Sequence, residues 1–377
     1  MFTLGSLGRM PERPYNFSAG PGVLPLPVLE QAKRDLVALP GLGVSPLEVS
    51  HRSAWFTEVI ERAEADLRAL LAVPDTHRIV FCQGGASMQF SMVALNLLRG
   101  AGARADYVVT GSWGQKALAE ARKEGDARAA WDGRSDGFIR TPSPGELAAA
   151  LGPGAAYAHI TTNETIQGVE FPANPIAPDG LPLVADCSSD FLSRPMDVER
   201  YGLLYAGAQK NAGPAGVAVV IVREDLLERA PEDLPTMLDY RTYVREGSLF
   251  NTPPVFSIYV LGLVAHWLRQ DVGGLGTMAE RNRAKAALVY DAIDDSGGFY
   301  RGHADPASRS LMNVTWRLPA EDLELAFVSE AAAEGLTDLK GHRSVGGIRA
   351  SIYNAMPHEG VEALAAFMRE FSADGSR

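Results

Sequence analysis

Apolar residues recur at helical spacing in 27–39 (PVLEQAKRDLVAL) and 55–71 (WFTEVIERAEADLRALL), which predicts two helices with one buried face each. Residues 78–82 (RIVFC) instead form a short apolar run and read as a buried strand. Gly84 and Gly85 then break the chain, and 87–98 (SMQFSMVALNLL) reads as a helix. Strand-like runs follow at 106–109 (DYVV), 156–160 (AYAHI), 183–187 (LVADC), 203–206 (LLYA) and 215–222 (AGVAVVIV). Strands separated by helical segments predict an α/β fold, a mostly parallel sheet with helices on both faces. The Pro-rich stretches 141–145 and 171–182 read as surface loops. The pattern changes near Asp271-Val272-Gly273-Gly274. Beyond it come a helix at 276–293, a strand at 311–317, a helix at 321–334, a strand at 348–353 and a helix at 359–372. This predicts a large unit over 16–270 and a smaller α+β unit over 271–377 that includes the N-terminal segment 1–15. No internal repeat or low-complexity tract interrupts this order.

Composition narrows the chemistry. Lys and Arg number 35 and Asp and Glu 46, a net charge of −11, and no basic run offsets it, so nucleic acid is an unsuitable partner. The two cysteines, Cys82 and Cys187, cannot build a disulfide framework or a four-thiolate metal site, and no metal is expected. The longest apolar run, 215–222, is far shorter than the ~20 residues that span a bilayer. The N-terminus has no basic start followed by an apolar stretch, so a cytoplasmic setting is the expectation.

Four segments could carry chemistry. Gly84-Gly85-Ala86-Ser87 joins a strand to a helix, where free N–H groups and the helix dipole suit a phosphate, although the spacing matches neither a P-loop nor a dinucleotide fingerprint. An ordinary strand–helix turn is the alternative. Lys210 lies in Ala206-Gly207-Ala208-Gln209-Lys210-Asn211-Ala212-Gly213, among small residues that leave room around its amine. Confinement lowers an amine's proton affinity and suits it to attack a carbonyl; the alternative is a surface lysine in a Gly-rich loop. Asp186 ends an apolar strand in Ala185-Asp186-Cys187-Ser188-Ser189, where a carboxylate could hold a heteroaromatic nitrogen protonated or simply cap a turn. Trp113, in Thr110-Gly111-Ser112-Trp113-Gly114, could stack on a planar ring or fill the core. Together these describe a phosphorylated, planar, nitrogen-containing aldehyde, pyridoxal phosphate. His51-Arg52, His342-Arg343 and Arg349 add donors suited to a doubly anionic substrate, unless they are scattered surface cations.

The chain resembles the phosphoserine aminotransferase family, class V pyridoxal-phosphate enzymes of fold type I. The resemblance is carried by NFSAGP at 16–21, EVSHR at 48–52, FCQGGASMQF at 81–90, NETIQG at 163–168, ADCSS at 185–189, SRPMDVERYGLLYAGAQKNAGPAG at 193–216, FNTPP at 250–254 and KGHRSVGGIRASIYNAMP at 340–357. It implies a large domain built on a mostly parallel seven-stranded sheet and a smaller α+β C-terminal domain. It implies that Lys210 bonds the cofactor and shuttles the proton, that Asp186 protonates the pyridine nitrogen and that Trp113 stacks on the ring. Gly85, Ala86, Ser87, Thr165 and Gln209 would hold ring and phosphate. Asn251 and Thr252 would reach the phosphate from the second subunit of a homodimer. His51, Arg52, His342, Arg343 and Arg349 would bind substrate anions, Arg349 taking the α-carboxylate. The implied reaction moves the amino group of L-glutamate to 3-phosphooxypyruvate, giving O-phospho-L-serine and 2-oxoglutarate in serine biosynthesis. A phosphorylated threonine precursor in pyridoxine synthesis is a second implied product. Ala86-Ser87 stands where some members carry Gly-Arg, which removes one cation beside the phosphate and keeps the backbone cradle. The alternatives are another class V enzyme of the serine–glyoxylate type, a cysteine desulfurase, or a non-catalytic cofactor-binding protein.

Overall fold

The computed structural model describes residues 13–375. Its centre is a seven-stranded sheet formed by β1 (His77–Cys82), β2 (Arg104–Val109), β3 (Ala127–Asp132), β4 (Ala155–Thr161), β5 (Leu183–Asp186), β6 (Leu203–Gly207) and β7 (Ala218–Arg223). Their spatial order is β1-β7-β6-β5-β4-β2-β3. β7 runs antiparallel to both its neighbours and the remaining pairings are parallel, so six strands share one sense and β7 opposes them.

Side chains alternate across the strands, and that alternation divides the core in two. Ile79, Phe81, Val108, Ile160, Leu183, Ala185, Leu204, Val219 and Ile221 face one helical layer. Val80, Cys82, Tyr107, Val109, Tyr157, Val184, Leu203, Tyr205 and Val220 face the other. The first layer includes α1 (Leu26–Asp35), α2 (Ala54–Leu71) and α5 (Val255–Gln270); the second includes α3 (Gly85–Leu97) and α4 (Ser112–Ala121). Both faces are covered, so β5 and β6 are buried at every position and read as plain apolar runs.

A third core lies beside the sheet. It joins Phe17 to α6 (Leu275–Asp294), α7 (Glu321–Ala333), α8 (His358–Gly375) and an antiparallel sheet of β8 (Arg301–Gly302), β9 (Asn313–Arg317) and β10 (Ile348–Ser351). α6 serves two cores: Leu275 and Met278 pack with the large sheet, and the residues from Ala286 onward pack with the third core. Tyr15 and Asn16 pair in parallel with Leu336 and Thr337; of the N-terminal segment expected in this unit, residues 1–12 lie outside the described residues.

Several expected elements differ. α1 ends at Asp35, short of 39, because Pro40, Gly41 and Gly43 follow and cannot prolong it. The stretch expected as a loop at 141–145 opens a helix, Pro144–Ala150. Pro144 takes the first turn, and Ser143 and Glu146 form a reciprocal cap. β3 gives no run in the sequence because it is a half-buried edge strand with Arg128 and Asp132 in it. α5 escapes periodicity because it is apolar on nearly all sides. Strands expected at 215–222, 311–317 and 348–353 begin late or end early, at Ala218–Arg223, Asn313–Arg317 and Ile348–Ser351. Among the described residues no helix is long and apolar enough to cross a membrane.

Candidate active site

Strands of one sense bring their carboxyl ends to one edge, where ligands of open α/β sheets bind. β1, β2, β4, β5 and β6 end there, in register: Cys82 opposite Ala218, Ala218 opposite Gly207, Thr161 opposite Asp186, and Asp186 opposite Tyr205. The segments after these ends carry Gly84–Ser87, Trp113, Thr165, Asp186 and Lys210.

Lys210 sits in a tight turn between β6 and β7, closed by Ala212 N–H to Ala208 O (3.1 Å) and Ala208 N–H to Val217 O (3.0 Å). Its Nζ donates to Thr165 Oγ1 at 2.6 Å and lies 4.9 Å from the centroid of the Trp113 ring. Burial pulls its pKa down, the Asp186 and Glu164 carboxylates oppose that, and Arg349 adds to it. The turn rests on a buried polar support. Asn211 Nδ2 donates to Phe191 O (2.7 Å), and Asn211 Oδ1 accepts from Asn354 N–H (2.8 Å). The Lys285 amine from α6 lies among the carbonyls of Ile352, Tyr353, Asn354 and Met356 at 2.7–3.4 Å, and burial pulls its pKa down to about 7. The N-terminal segment closes over the same turn: Gly22 N–H reaches Gln209 O at 2.7 Å, and Tyr353 Oη donates to Ala19 O at 2.7 Å.

Asp186 is buried. Ser188 donates to its Oδ1 from both N–H (3.0 Å) and Oγ (2.6 Å). Among the described residues Oδ2 accepts no hydrogen bond. Burial raises its pKa, and Lys210 and Ser188 work against that.

Trp113 opens α4, and this helix carries no cap of its own. The cap comes from the 163–168 hairpin. Glu164 accepts N–H from Trp113 (2.9 Å) and Gly114 (2.8 Å), and Gln167 Oε1 accepts from Ser112 N–H (3.2 Å). A Cβ on Gly111 would meet the Glu164 and Gln167 side chains within 2.7 Å, so only glycine admits this arrangement. Burial pushes the Glu164 carboxyl up to about 7, against the two N–H donors and Lys210.

α3 starts at Gly85 with Gly84 at its N-cap and no side-chain cap, so the first N–H groups, at Gly85, Ala86 and Ser87, lack protein partners among the described residues. Gln209 lies against them: a Cβ on Gly207 would sit 2.8 Å from Gln209 Oε1 and 3.4 Å from the Ala86 nitrogen. Asn251 pairs with Gln83 of its own chain through both amide groups at 3.2 Å, and Thr252 is exposed.

Arg349 donates to Thr165 O at 3.4 Å, which sets it beside Lys210. It shares a narrow cleft with His342, Ile166, His303 and Arg317. His342 is held low by burial and then by the charges of Arg349, Lys116 and Arg343. His51 and Arg52 lie just before α2, His51 buried with Nε2 unpartnered and Arg52 exposed, and among the described residues neither makes a hydrogen bond or ion pair with Arg349. The larger cavities, about 610 Å³ between α1, α2 and α5 and about 630 Å³ beside Lys285, are lined by other residues. Cys82 and Cys187 are fully buried, and burial pushes both thiols up, so neither is a thiolate nucleophile.

Residues 14–364 match the family model described as aminotransferase class-V. The chain belongs to that family. Within it, the chain is 54% identical over 366 residues to phosphoserine aminotransferase from Rhodopirellula baltica, covering 97% of each sequence. It superposes on the solved phosphoserine aminotransferase from Bacillus circulans subsp. alkalophilus with a TM-score of 0.93 and 51% identity, covering 96% of this chain and 99% of that one. The pyridoxal-phosphate-bound phosphoserine aminotransferase from Trichomonas vaginalis gives 0.87 and 39%, covering 95% and 100%. At the carboxyl edge of the sheet, Lys210, Thr165, Asp186, Trp113 and Arg349 stand near one another. Sequence reasoning did not single out Glu164 or Gln167. Their only signal is a carboxylate inside a segment otherwise of uncharged residues, 159–169.

Proposed function

We propose that the chain is a pyridoxal-phosphate-dependent phosphoserine transaminase, moving the amino group of L-glutamate to 3-phosphooxypyruvate in the cytoplasm. The observation that carries this reading is the Lys210 amine, held between the Thr165 hydroxyl and the Trp113 ring with Asp186 behind and Arg349 beside it. The residues suit the cofactor. Three unpaired N–H groups of α3 suit a phosphate, the free Oδ2 of Asp186 suits a protonated ring nitrogen, and Trp113 Nε1 and Thr110 Oγ1 are buried without partners. Pyridoxal phosphate, when bound, supplies the carbonyl that joins Lys210 and the ring that takes up electrons.

The chain's own residues do the rest. Lys210, its proton affinity lowered, attacks and later carries a proton to and from the substrate carbon. Asp186, fixed by Ser188, keeps the ring nitrogen protonated. Trp113, fixed by Glu164, covers the ring. Arg349 takes the α-carboxylate through its planar fork, and His342, Arg343, His51 and Arg52 serve the far anion, a phosphate in one half-reaction and a carboxylate in the other. Among the described residues His51 and Arg52 make no hydrogen bond or ion pair with Arg349, and the 36–47 loop before them exposes Leu36, Val37, Leu42, Val44 and Leu47. Both features favour a homodimer, in which Asn251 and Thr252 reach the neighbouring cofactor phosphate. A coupled assay tests the reaction: glutamate with 3-phosphooxypyruvate should turn over, and glutamate with pyruvate should not. Turnover with pyruvate alone overturns the substrate assignment.

A further inference from the structure

Lys116 follows Trp113 by three residues on α4, so the two side chains share one helix face. Its Nζ stands 4.0 Å from the Trp113 ring centroid, and Lys210 Nζ stands 4.9 Å from the same centroid. One indole is therefore addressed by two amines, the partly buried Lys210 and the exposed Lys116. Lys116 is exposed, and among the described residues it has no ion pair or hydrogen bond. The nearest acidic residue along the helix, Glu120, is engaged by Lys123 at 2.7 Å and by Ser91 at 3.3 Å. Arg343 and Arg349 also lack a carboxylate partner, and the field of all three falls on His342.

Lys116, Arg343 and Arg349 thus crowd His342, and among the described residues none of the four has a carboxylate partner, in a chain whose net charge is −11. Like charges repel at this range, so an anion bound among them relieves that repulsion and is favoured there. The ammonium of Lys116, on a flexible stem, is a point charge that follows a tetrahedral oxyanion, where the arginine fork suits a planar carboxylate. We propose that Lys116 is a further substrate-binding residue, which grips the distal phosphate of the phosphorylated substrate and favours it over the distal carboxylate of glutamate. The preference follows from charge, since a phosphate monoester carries about −1.5 to −2 at neutral pH and a carboxylate −1. This inference rests on the transaminase reading and adds to it a residue that sets the preference between the two half-reaction substrates.

The test uses the cofactor-loaded protein and two unreactive probes. 3-Phosphoglycerate has the phosphate and the carboxylate but a hydroxyl in place of the ketone, and glutarate has two carboxylates and no amine. Calorimetric titration of Lys116→Met should show 3-phosphoglycerate bound roughly tenfold more weakly than by the wild type and glutarate changed by less than about twofold. Lys116→Arg should restore most of the phosphate affinity. Equal loss of both probes would make Lys116 a clamp on the Trp113 ring and overturn the inference, as would unchanged phosphate binding. A wild type that transaminates from glutamate only onto unphosphorylated acceptors would sink the underlying reading instead.

Discussion

Lys210 is legible in the sequence because small neighbours on both sides leave space only an internal amine needs. Glu164 is not legible, because its partners, the N–H groups of Trp113 and Gly114, lie 51 and 50 residues away and meet it only when β2 and β4 pair side by side. Its placement has a measurable consequence. Burial lifts the Glu164 carboxyl from 4.5 to about 7. Between those values the folded chain keeps a proton that the unfolded chain has lost. The stability tied to this group is therefore complete below the unfolded pKa and is lost as pH rises through the folded one. Glutamine cannot titrate. The melting temperature of cofactor-free Glu164→Gln, relative to wild type, should climb as pH is raised from about 5 to about 7 and level off above it. A difference that stays flat across that range contradicts the buried-carboxylate assignment.

At the scale of elements, periodicity locates amphipathic helices and buried central strands, and fails where burial is one-sided in another way. α5 is apolar nearly all round, β3 is an edge strand carrying charge, and the Pro144 helix hides behind a residue that also marks loops. The early end of α1 is the most informative departure. It frees a loop in which Val37 is 83% and Leu47 65% exposed, close in sequence to His51 and Arg52. Exposed aliphatic side chains gathered in one segment mark a surface that another protein covers. A second copy of the chain is the occupant in our reading, so sedimentation should give twice 40.4 kDa at micromolar concentration. The double variant Val37→Asp, Leu47→Asp should shift toward monomer and lose turnover together. A wild-type monomer that is fully active contradicts the shared-site reading.

For the whole molecule, alternating strand and helix signals were enough to fix the α/β class and the edge on which the chemistry gathers. The third core was visible only as a change of pattern after residue 271. The pairing of Tyr15 and Asn16 with Leu336 and Thr337 links positions more than three hundred residues apart and leaves no local trace. These layers converge on one turn, in which Asn211, Asn354 and the Lys285 carbonyl cage brace Lys210 from beneath. The most direct measurement follows from that convergence. Purified protein is incubated with pyridoxal phosphate, reduced with borohydride, digested and mapped by mass. The account predicts a single pyridoxyl adduct, on the peptide containing Lys210, and none in Lys210→Ala. An adduct on another lysine, or no adduct in a protein that still transaminates, contradicts it.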